Sequence, residues 1–157
     1  MQIKSLAFEN NSLIPSLYTC EGKNINPPLQ FLDIPDGTQS LALIVDDPDA
    51  ATDPQGPGKT FDHWFIWNIP PTVNEIPEGT VPPEAIQGLN GAGSEGYIGA
   101  CPPNGTHRYF FKLFALNKKL DVSPNISKQQ LENEIKNNMI DKAELIGLYQ
   151  KHNGPQR

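Results

Sequence analysis

The segment RYFFKLFAL, residues Arg108–Leu116, decides the fold class of this chain. Aromatic residues and leucines fill it without glycine or proline, which is typical of a β-strand. The segment HWFIWNI, residues His63–Ile69, has the same character and stops at Pro70-Pro71. Shorter runs of the same type are Ile3–Phe8, Leu29–Ile34 and Ser40–Asp46. These separate β-type runs predict a mainly β protein.

Glycine and proline mark the boundaries of these runs. The chain has 16 prolines and 13 glycines among its 157 residues, which disfavours a helical bundle. The turn Pro35-Asp36-Gly37 separates two of the runs, so we expect a hairpin there. The stretches Pro48–Asp62 and Pro70–Thr106 are dense in Gly, Pro, Asn and Asp. Long loops of this kind on a rigid sheet are where functional sites usually lie.

The length and charge of the chain exclude several classes of protein. Its size predicts one domain with a single core over residues 1–157. Twelve basic and 18 acidic residues give a formal net charge of −6. That charge argues against a nucleic-acid partner, because phosphate neutralisation needs clustered Lys and Arg. The longest apolar run, Leu41–Val45, is too short to span a bilayer.

The start of the chain and its two cysteines together predict a reduced, cytoplasmic protein. The first residues lack the apolar segment of a secretory signal, so we expect a cytoplasmic location. In that compartment Cys20 and Cys101 would stay reduced, and neither lies in a C-x-x-C pair. We therefore expect neither a disulfide nor a structural zinc site.

One helix is clearly signalled, from about Ser127 to Asn137. Ser127 is a good N-cap and Gln130 completes a capping box. An apolar stripe formed by Leu131, Ile135 and Met139 would pack on the sheet. The final apolar segment, Ala143–Tyr149, is predicted to be a strand, because the glycine in its middle would weaken a helix by about 1 kcal/mol relative to alanine.

Polar residues stand at the ends of three inward-facing apolar rows. Because side chains alternate along a strand, the row of the strand 40–46 ends in Asp47, and the row of 63–69 begins with His63. The row that runs through the strand 108–116 begins with His107 and Tyr109. If these ends coincide in space, the four residues line the mouth of one pocket. The alternatives are structural roles for the histidines and a turn-capping role for Asp47. Arg108 faces the opposite side and is expected to form an ion pair or to pack.

Three motifs follow one another along the chain in a specific order. They are DDPDA at Asp46–Ala50, HWFIWNIP at His63–Pro70 and GYIGACPPNGTHRY at Gly96–Tyr109. Together they resemble the phosphatidylethanolamine-binding protein (PEBP) family, which includes the Raf kinase inhibitor proteins. The segments YTCEG at Tyr18–Gly22 and NPPL at Asn26–Leu29 are similar to its bacterial and archaeal branch. The resemblance implies a PEBP-like antiparallel β-sandwich with few peripheral helices, and a homodimer.

The resemblance also implies an anion pocket for phosphate or phosphorylated head groups. Carried over residue by residue, the pocket comprises Asp47, Asp49, His63, Pro102, Pro103, His107 and Tyr109. It implies no catalytic residue, no metal ligand and no cofactor. Ala51 and Ala100 stand where the family usually has prolines, so the loop after Asp49 and the pocket wall are expected to be less constrained.

The pocket chemistry favours binding over catalysis. Two imidazoles, a tyrosine hydroxyl and backbone N–H groups can donate to a phosphate or carboxylate, and protonation of the imidazoles predicts tighter binding as the pH falls. Asp47 can orient an imidazole or accept from a cationic head group such as ethanolamine. We therefore expect a binding or regulatory protein for a phosphate-containing small molecule or a phosphorylated protein segment.

Two other functions stay open. One is an inhibitor of a protease or kinase that acts through surface contacts. The other is a metal-assisted hydrolase using Asp47, His63 and His107. The enzyme is disfavoured because no serine or cysteine has an evident base and orienting acid beside it in the sequence.

Overall fold

The computed structural model describes residues 1–152. That part of the chain contains two β-sheets and one α-helix. The strands are β1 (Gln2–Lys4), β2 (Ser12–Leu13), β3 (Leu29–Leu32), β4 (Ser40–Asp47), β5 (Phe61–Ile69), β6 (Glu75–Ile76), β7 (Ile86–Gln87), β8 (His107–Leu116) and β9 (Met139–Tyr149). The helix α1 spans Lys128–Asn138. Short 3-10 helices cover Ser16–Tyr18 and Pro48–Ala51.

The strands form a three-stranded sheet in the order β1-β3-β6 and a six-stranded sheet in the order β2-β9-β8-β4-β5-β7. All of these pairings are antiparallel except the short parallel pairing of β2 with β9. The three longest predicted strands are present as β4, β5 and β8, and the ambiguous C-terminal segment is the strand β9. The predicted strand over residues 3–8 is shorter than expected. It ends at Lys4, and the Ser5 hydroxyl then accepts the Ala7 backbone N–H at 3.1 Å in a local turn.

The predicted hairpin between residues 29–34 and 40–46 is wrong. The turn itself forms, with the Thr38 hydroxyl donating to the Pro35 carbonyl at 2.7 Å, but β3 and β4 enter different sheets. β3 pairs with β1 and β6, whereas both edges of β4 are occupied by β5 and β8. Because β4 has no free edge for β3, the turn carries the chain from one sheet to the other.

Apolar side chains cover both faces of the six-stranded sheet. One face packs against the three-stranded sheet, and Leu43 of β4 and Phe31 of β3 lie in the same buried apolar cluster. The opposite face packs Ile44 and Trp67 against Leu131 and Ile135 of α1. The alternation along β4 therefore supplies two apolar layers, and every residue of that strand is buried. The predicted mainly β class with few peripheral helices is confirmed.

The helix begins as its sequence predicts. The Ser127 hydroxyl accepts the Gln130 backbone N–H at 3.2 Å, and the Gln130 side chain accepts the Ser127 N–H at 3.4 Å, so the capping box is confirmed. Met139, the third residue of the predicted stripe, instead begins β9 and is 39% exposed. No helix among residues 1–152 is long and apolar enough to cross a membrane.

A disulfide joins Cys20 to Cys101, so the prediction of two reduced cysteines is wrong. The two residues are 81 positions apart, and their Cα atoms lie 5.5 Å from each other. Loop contacts bring them together, since the Cys20 N–H donates to the Ala100 carbonyl at 3.1 Å and the Tyr97 hydroxyl donates to the Tyr18 carbonyl at 2.8 Å. Sequence spacing does not report such contacts. Disulfides persist mainly in oxidising compartments, so this bond lends no support to the predicted cytoplasmic location.

Candidate functional site

A cavity of about 380 Å³ lies where β4 ends and where β5 and β8 begin. Its lining includes Asp47, His63, His107 and Tyr109. These residues meet because β4 runs antiparallel to both neighbours, which places its last residue beside the first residues of β5 and β8. The structure thus brings together the four side chains that the sequence alternation placed at strand ends. Further lining residues from the predicted set are Pro102 and Pro103.

Asp47 is fully occupied by contacts within the protein. Its Oδ1 accepts the backbone N–H groups of Asp49 at 2.9 Å and Ala50 at 3.2 Å, which caps the 3-10 helix Pro48–Ala51. Its Oδ2 accepts Nδ1–H of His107 at 2.6 Å. Asp47 is 3% exposed. Its carboxylate performs both predicted roles at once, turn capping and imidazole orientation.

His107 is held between two carboxylates. Nδ1 donates to Asp47, and Nε2 donates to Oδ2 of Asp53 at 2.8 Å. Burial alone would lower the pKa of His107, but the hydrogen bonds and charges of Asp47 and Asp53 outweigh it and raise the pKa above its usual value. A ring that donates from both nitrogens is an imidazolium. Neither donor of His107 is therefore available to a ligand while Asp53 stays in place.

His63 presents the opposite arrangement. Its Nδ1–H donates to the Ile98 carbonyl at 2.7 Å, and no described residue hydrogen-bonds its Nε2. Burial lowers the pKa of His63, opposed by the Ile98 carbonyl and the charge of Asp47. The rings of Phe61 and Tyr109 contact it edge to face, with centroids 4.9 and 5.2 Å away. In the free protein His63 is thus a neutral imidazole with an unpaired Nε2 on the cavity wall.

The Tyr109 hydroxyl is the second unsatisfied group of the cavity. It is buried and lies near the Cys101 backbone N–H, but it makes no hydrogen bond of ordinary geometry with the described residues. Burial raises the pKa of Tyr109 well above its usual range, so the phenol keeps its proton. A buried polar group without a partner costs about 1–3 kcal/mol, and such groups in native structures commonly mark places where a ligand or water binds.

Asp49 does not line the cavity, although the resemblance placed it in the pocket. Its Oδ2 accepts the Arg108 backbone N–H at 2.8 Å and Nε–H at 3.0 Å, and its Oδ1 accepts a terminal guanidinium N–H at 2.9 Å. These hydrogen bonds with Arg108 lower the pKa of Asp49. The ion pair predicted for Arg108 is confirmed, and it ties the 3-10 helix Pro48–Ala51 to the start of β8.

Ala51 and Ala100, which stand where the family in the resemblance usually has prolines, lie in segments that several backbone hydrogen bonds hold in place. Ala100 is buried, its carbonyl accepts the Cys20 N–H, and the next residue carries the disulfide. After Asp49, the backbone N–H groups of Thr52 and Asp53 both donate to the Asp49 carbonyl, at 3.2 and 3.0 Å. The peptide bonds of the described residues are all trans. The expected loosening at Ala100 is therefore opposed by a covalent link beside it.

A family profile described as "Phosphatidylethanolamine-binding protein" matches residues 4–150, nearly the whole chain. The chain belongs to this family. It is 44% identical over 156 residues to a UPF0098 protein of Methanothermobacter thermautotrophicus, which covers 96% of this chain and 99% of that relative. The family resemblance that the three motifs predicted is confirmed.

Two solved structures of PEBP-family proteins match the fold closely. A putative PEBP homologue, CT736 from Chlamydia trachomatis, is 40% identical with a TM-score of 0.87, covering 96% of this chain and 97% of that one. YbcL of E. coli, described as a new member of the mammalian PEBP family, is 33% identical with a TM-score of 0.85. The match to YbcL covers 96% of this chain and 98% of the other.

The sequence interpretation missed the cavity-lining Phe61 and Ile98 and, beside the cavity, Asp53, which hydrogen-bonds His107. Asp53 lies in the Gly- and Pro-rich loop between β4 and β5, where strand alternation says nothing about side-chain direction. Its side chain is only 2% exposed, and its Oδ1 accepts the Gln55 backbone N–H at 2.9 Å. That hydrogen bond and His107 hold the pKa of Asp53 below its usual value, although desolvation opposes them. The only signal in the sequence was an acidic residue in a loop between two strands that lead to the cavity.

Proposed function

We propose that this PEBP-family protein binds an anionic group, such as the phosphate of a phosphorylated head group, in the cavity at the strand ends. The observation that carries the proposal is a pair of unpaired polar groups, His63 Nε2 and the Tyr109 hydroxyl, on two side chains in ring contact that line one cavity. Pockets that bind small ligands combine apolar walls with a few such convergent polar groups. Pro102, Pro103 and Phe61 supply apolar wall here.

The two groups would act differently on the anion. Tyr109 keeps its proton and donates an O–H directly. His63 has its Nδ1–H fixed on the Ile98 carbonyl, so only Nε2 can turn towards a ligand, and it becomes a donor when it gains a proton. The charges of three carboxylates, Asp47, Asp46 and Asp62, favour the protonated form of His63, although Lys128 pairs with the last two. Anion binding is therefore expected to accompany proton uptake at His63.

This coupling gives the pH dependence a definite sign. Burial sets the free-state pKa of His63 below its usual value of about 6.5, and a bound anion would raise that pKa. Affinity should be greatest below the free-state pKa and should fade as the pH rises through the bound-state pKa. The lower end of the window therefore lies below about pH 6.5, and the direction is that of the pH trend expected from the sequence.

Calorimetry with glycerophosphoethanolamine tests the proposal, because this phosphodiester keeps one negative charge across the pH range used. His63→Ala and Tyr109→Phe should each weaken binding about ten- to a hundredfold, the loss expected for a charge-assisted or buried hydrogen bond. His152→Ala is the matched control, since this exposed histidine does not line the cavity. Equal affinity in all four proteins would mean that the anion binds elsewhere.

Inhibition of a protease or kinase through surface contacts is the second hypothesis. It predicts that inhibitor activity survives His63→Ala and Tyr109→Phe, and pull-down with proteases and kinases would reveal it. We also keep the proposal that the protein is not an enzyme. With Cys20 and Cys101 joined, neither supplies a thiolate nucleophile. Activity screening with added divalent metals tests that proposal.

The homodimer and the phosphorylated-segment partner stay proposals from the resemblance. Light scattering at high protein concentration tests the first. A mass near twice that of one chain is expected, and a mass near that of one chain would refute it. Binding of a phosphoserine peptide, compared with its unphosphorylated form, tests the second.

A further inference from the structure

The carboxylate of Asp53 occupies the hydrogen-bonding position at Nε2 of His107. Its Oδ2 lies 2.8 Å from Nε2, the ring nitrogen that is not used by Asp47. The side chain comes from residues 52–58, which we call the 52–58 loop. Gln55, Gly56 and Pro57 of this loop line the cavity. A loop of the protein itself therefore supplies an anion to the site for which we propose an external one.

The two carboxylates on His107 differ in what else they hold. Asp47 caps the 3-10 helix Pro48–Ala51 and ends a central strand, so its place is set by the sheet. Asp53 is held by loop contacts: its Oδ1 accepts the Gln55 N–H, its backbone carbonyl accepts the Gly56 N–H at 2.9 Å, and its own N–H donates to the Asp49 carbonyl at 3.0 Å. Its carboxylate also lies by the Asn104 backbone N–H, which belongs to the loop before β8. None of these contacts belongs to the pairing of β4 with β5 and β8, so Asp53 is held by loops and Asp47 by the sheet.

We propose that Asp53 is an internal competitor for ligand anions at Nε2 of His107 and determines the affinity and selectivity of the cavity. A ligand whose anionic group contacts only His63 and Tyr109 binds with the 52–58 loop in place. A ligand whose phosphate or carboxylate also takes Nε2 of His107 must displace the Asp53 carboxylate. This inference rests on the proposed function, since it concerns the same cavity.

Asp53 and an external anion compete because both form the same kind of hydrogen bond with Nε2–H of His107. A carboxylate oxygen on an imidazolium N–H and a phosphate oxygen on the same N–H are both charge-assisted hydrogen bonds. The incoming anion gains about what the protein loses, so the bond at Nε2 adds little net affinity while Asp53 is present. Without the Asp53 carboxylate the imidazolium has one unpaired donor, and an external anion gains the full interaction. Loss of the Asp53 charge also removes one negative charge from the approach of the ligand.

The test compares Asp53→Asn, which keeps the size of the side chain, with Asp53→Ala, which opens space. Asp121→Asn is the matched control, because it removes the same charge at an exposed position that does not line the cavity. Thermal unfolding of each variant shows that it folds. Nitrogen-detected NMR titration then gives the pKa of His107, which should fall in both Asp53 variants and stay unchanged in Asp121→Asn.

Calorimetry with glycerophosphoethanolamine and with inorganic phosphate follows, at a pH below the His107 pKa of the variants so that the imidazolium is present. Both Asp53 variants should bind about ten- to a hundredfold more tightly than the wild type. Phosphate should also raise the lowered His107 pKa in Asp53→Ala. Unchanged or weaker binding by the variants, with measurable binding by the wild type, overturns the competitor role and leaves the proposed function standing. No binding of either probe by any protein overturns both.

Discussion

The polar side chains on the two walls of the cavity differ in whether their hydrogen-bonding groups have partners within the protein. On one wall, which carries Asp47 and His107, every strong donor or acceptor of these two side chains is engaged, and the imidazole carries a charge. On the other wall, which carries His63 and Tyr109, the His63 Nε2 and the phenol hydroxyl have no partner among the described residues, and the imidazole is neutral. The first wall holds the local structure together. The second is the wall on which we propose that a ligand binds.

The comparison shows that two histidines at equivalent strand ends are not equivalent groups. Their positions follow from the same alternation, but their protonation follows from neighbours that come from loops. His107 gains Asp53 from the 52–58 loop, whereas His63 gains only the Ile98 carbonyl. A sequence pattern that places both rings at one cavity therefore leaves their chemical roles undecided.

The largest effect is expected from Asp47→Ala, which removes the centre of the saturated wall. The change deletes the cap of the 3-10 helix and leaves the buried His107 with one fewer anionic partner. Loss of one partner of a buried pair costs about 3–5 kcal/mol, so urea unfolding should show a loss of that order. A variant as stable as the wild type would contradict the structural role of this wall.

A somewhat smaller loss is expected when the disulfide between Cys20 and Cys101, which both line the cavity, is reduced. Disulfides typically stabilise proteins by about 2–4 kcal/mol, mainly by restricting the unfolded chain. Urea unfolding with and without reductant, and of the double variant Cys20→Ser/Cys101→Ser, measures the difference. Two titratable thiols in the native, unreduced protein would show that the bond is absent.

The pH dependence of stability should separate the two histidines by sign. The raised pKa of His107 gives stability that is fully present below about pH 6.5 and is lost as the pH rises through its folded-state pKa. The lowered pKa of His63 gives stability that is present above about pH 6.5 and is lost as the pH falls through its folded-state pKa. We expect the free energy of unfolding to lose one of these pH dependences in His107→Gln and the opposite one in His63→Gln, when both variants are measured across this range. Slopes of the same sign would contradict the comparison.

The smallest effect is expected from Arg108→Ala, outside both walls. The Arg108 side chain is 54% exposed, and exposed ion pairs are usually worth less than about 1 kcal/mol. Unfolding free energy should fall by no more than that amount, and the affinity for glycerophosphoethanolamine should not change. A large loss of affinity would place the Asp49–Arg108 pair in the binding site, as the resemblance first implied for Asp49.

Local patterns predicted the parts of this molecule that local forces determine. Strand alternation placed Asp47, His63, His107 and Tyr109 at one end of the sheet, and the capping box located the start of α1. The sheet that β3 joins, the disulfide and Asp53 could not be predicted in this way. Each depends on contacts between segments far apart in the chain or on the path of an irregular loop, and neither leaves a periodic signal.

The most direct test of the central claim is an NMR titration of the histidine rings with and without glycerophosphoethanolamine. The free protein should show His63 as the neutral Nδ1–H tautomer with a pKa below its usual value, and His107 as an imidazolium with a raised pKa. The ligand should raise the pKa of His63 and shift its Nε2 resonance. A ligand that binds while leaving the pKa and both ring resonances of His63 unchanged would contradict the assignment of this wall to ligand binding.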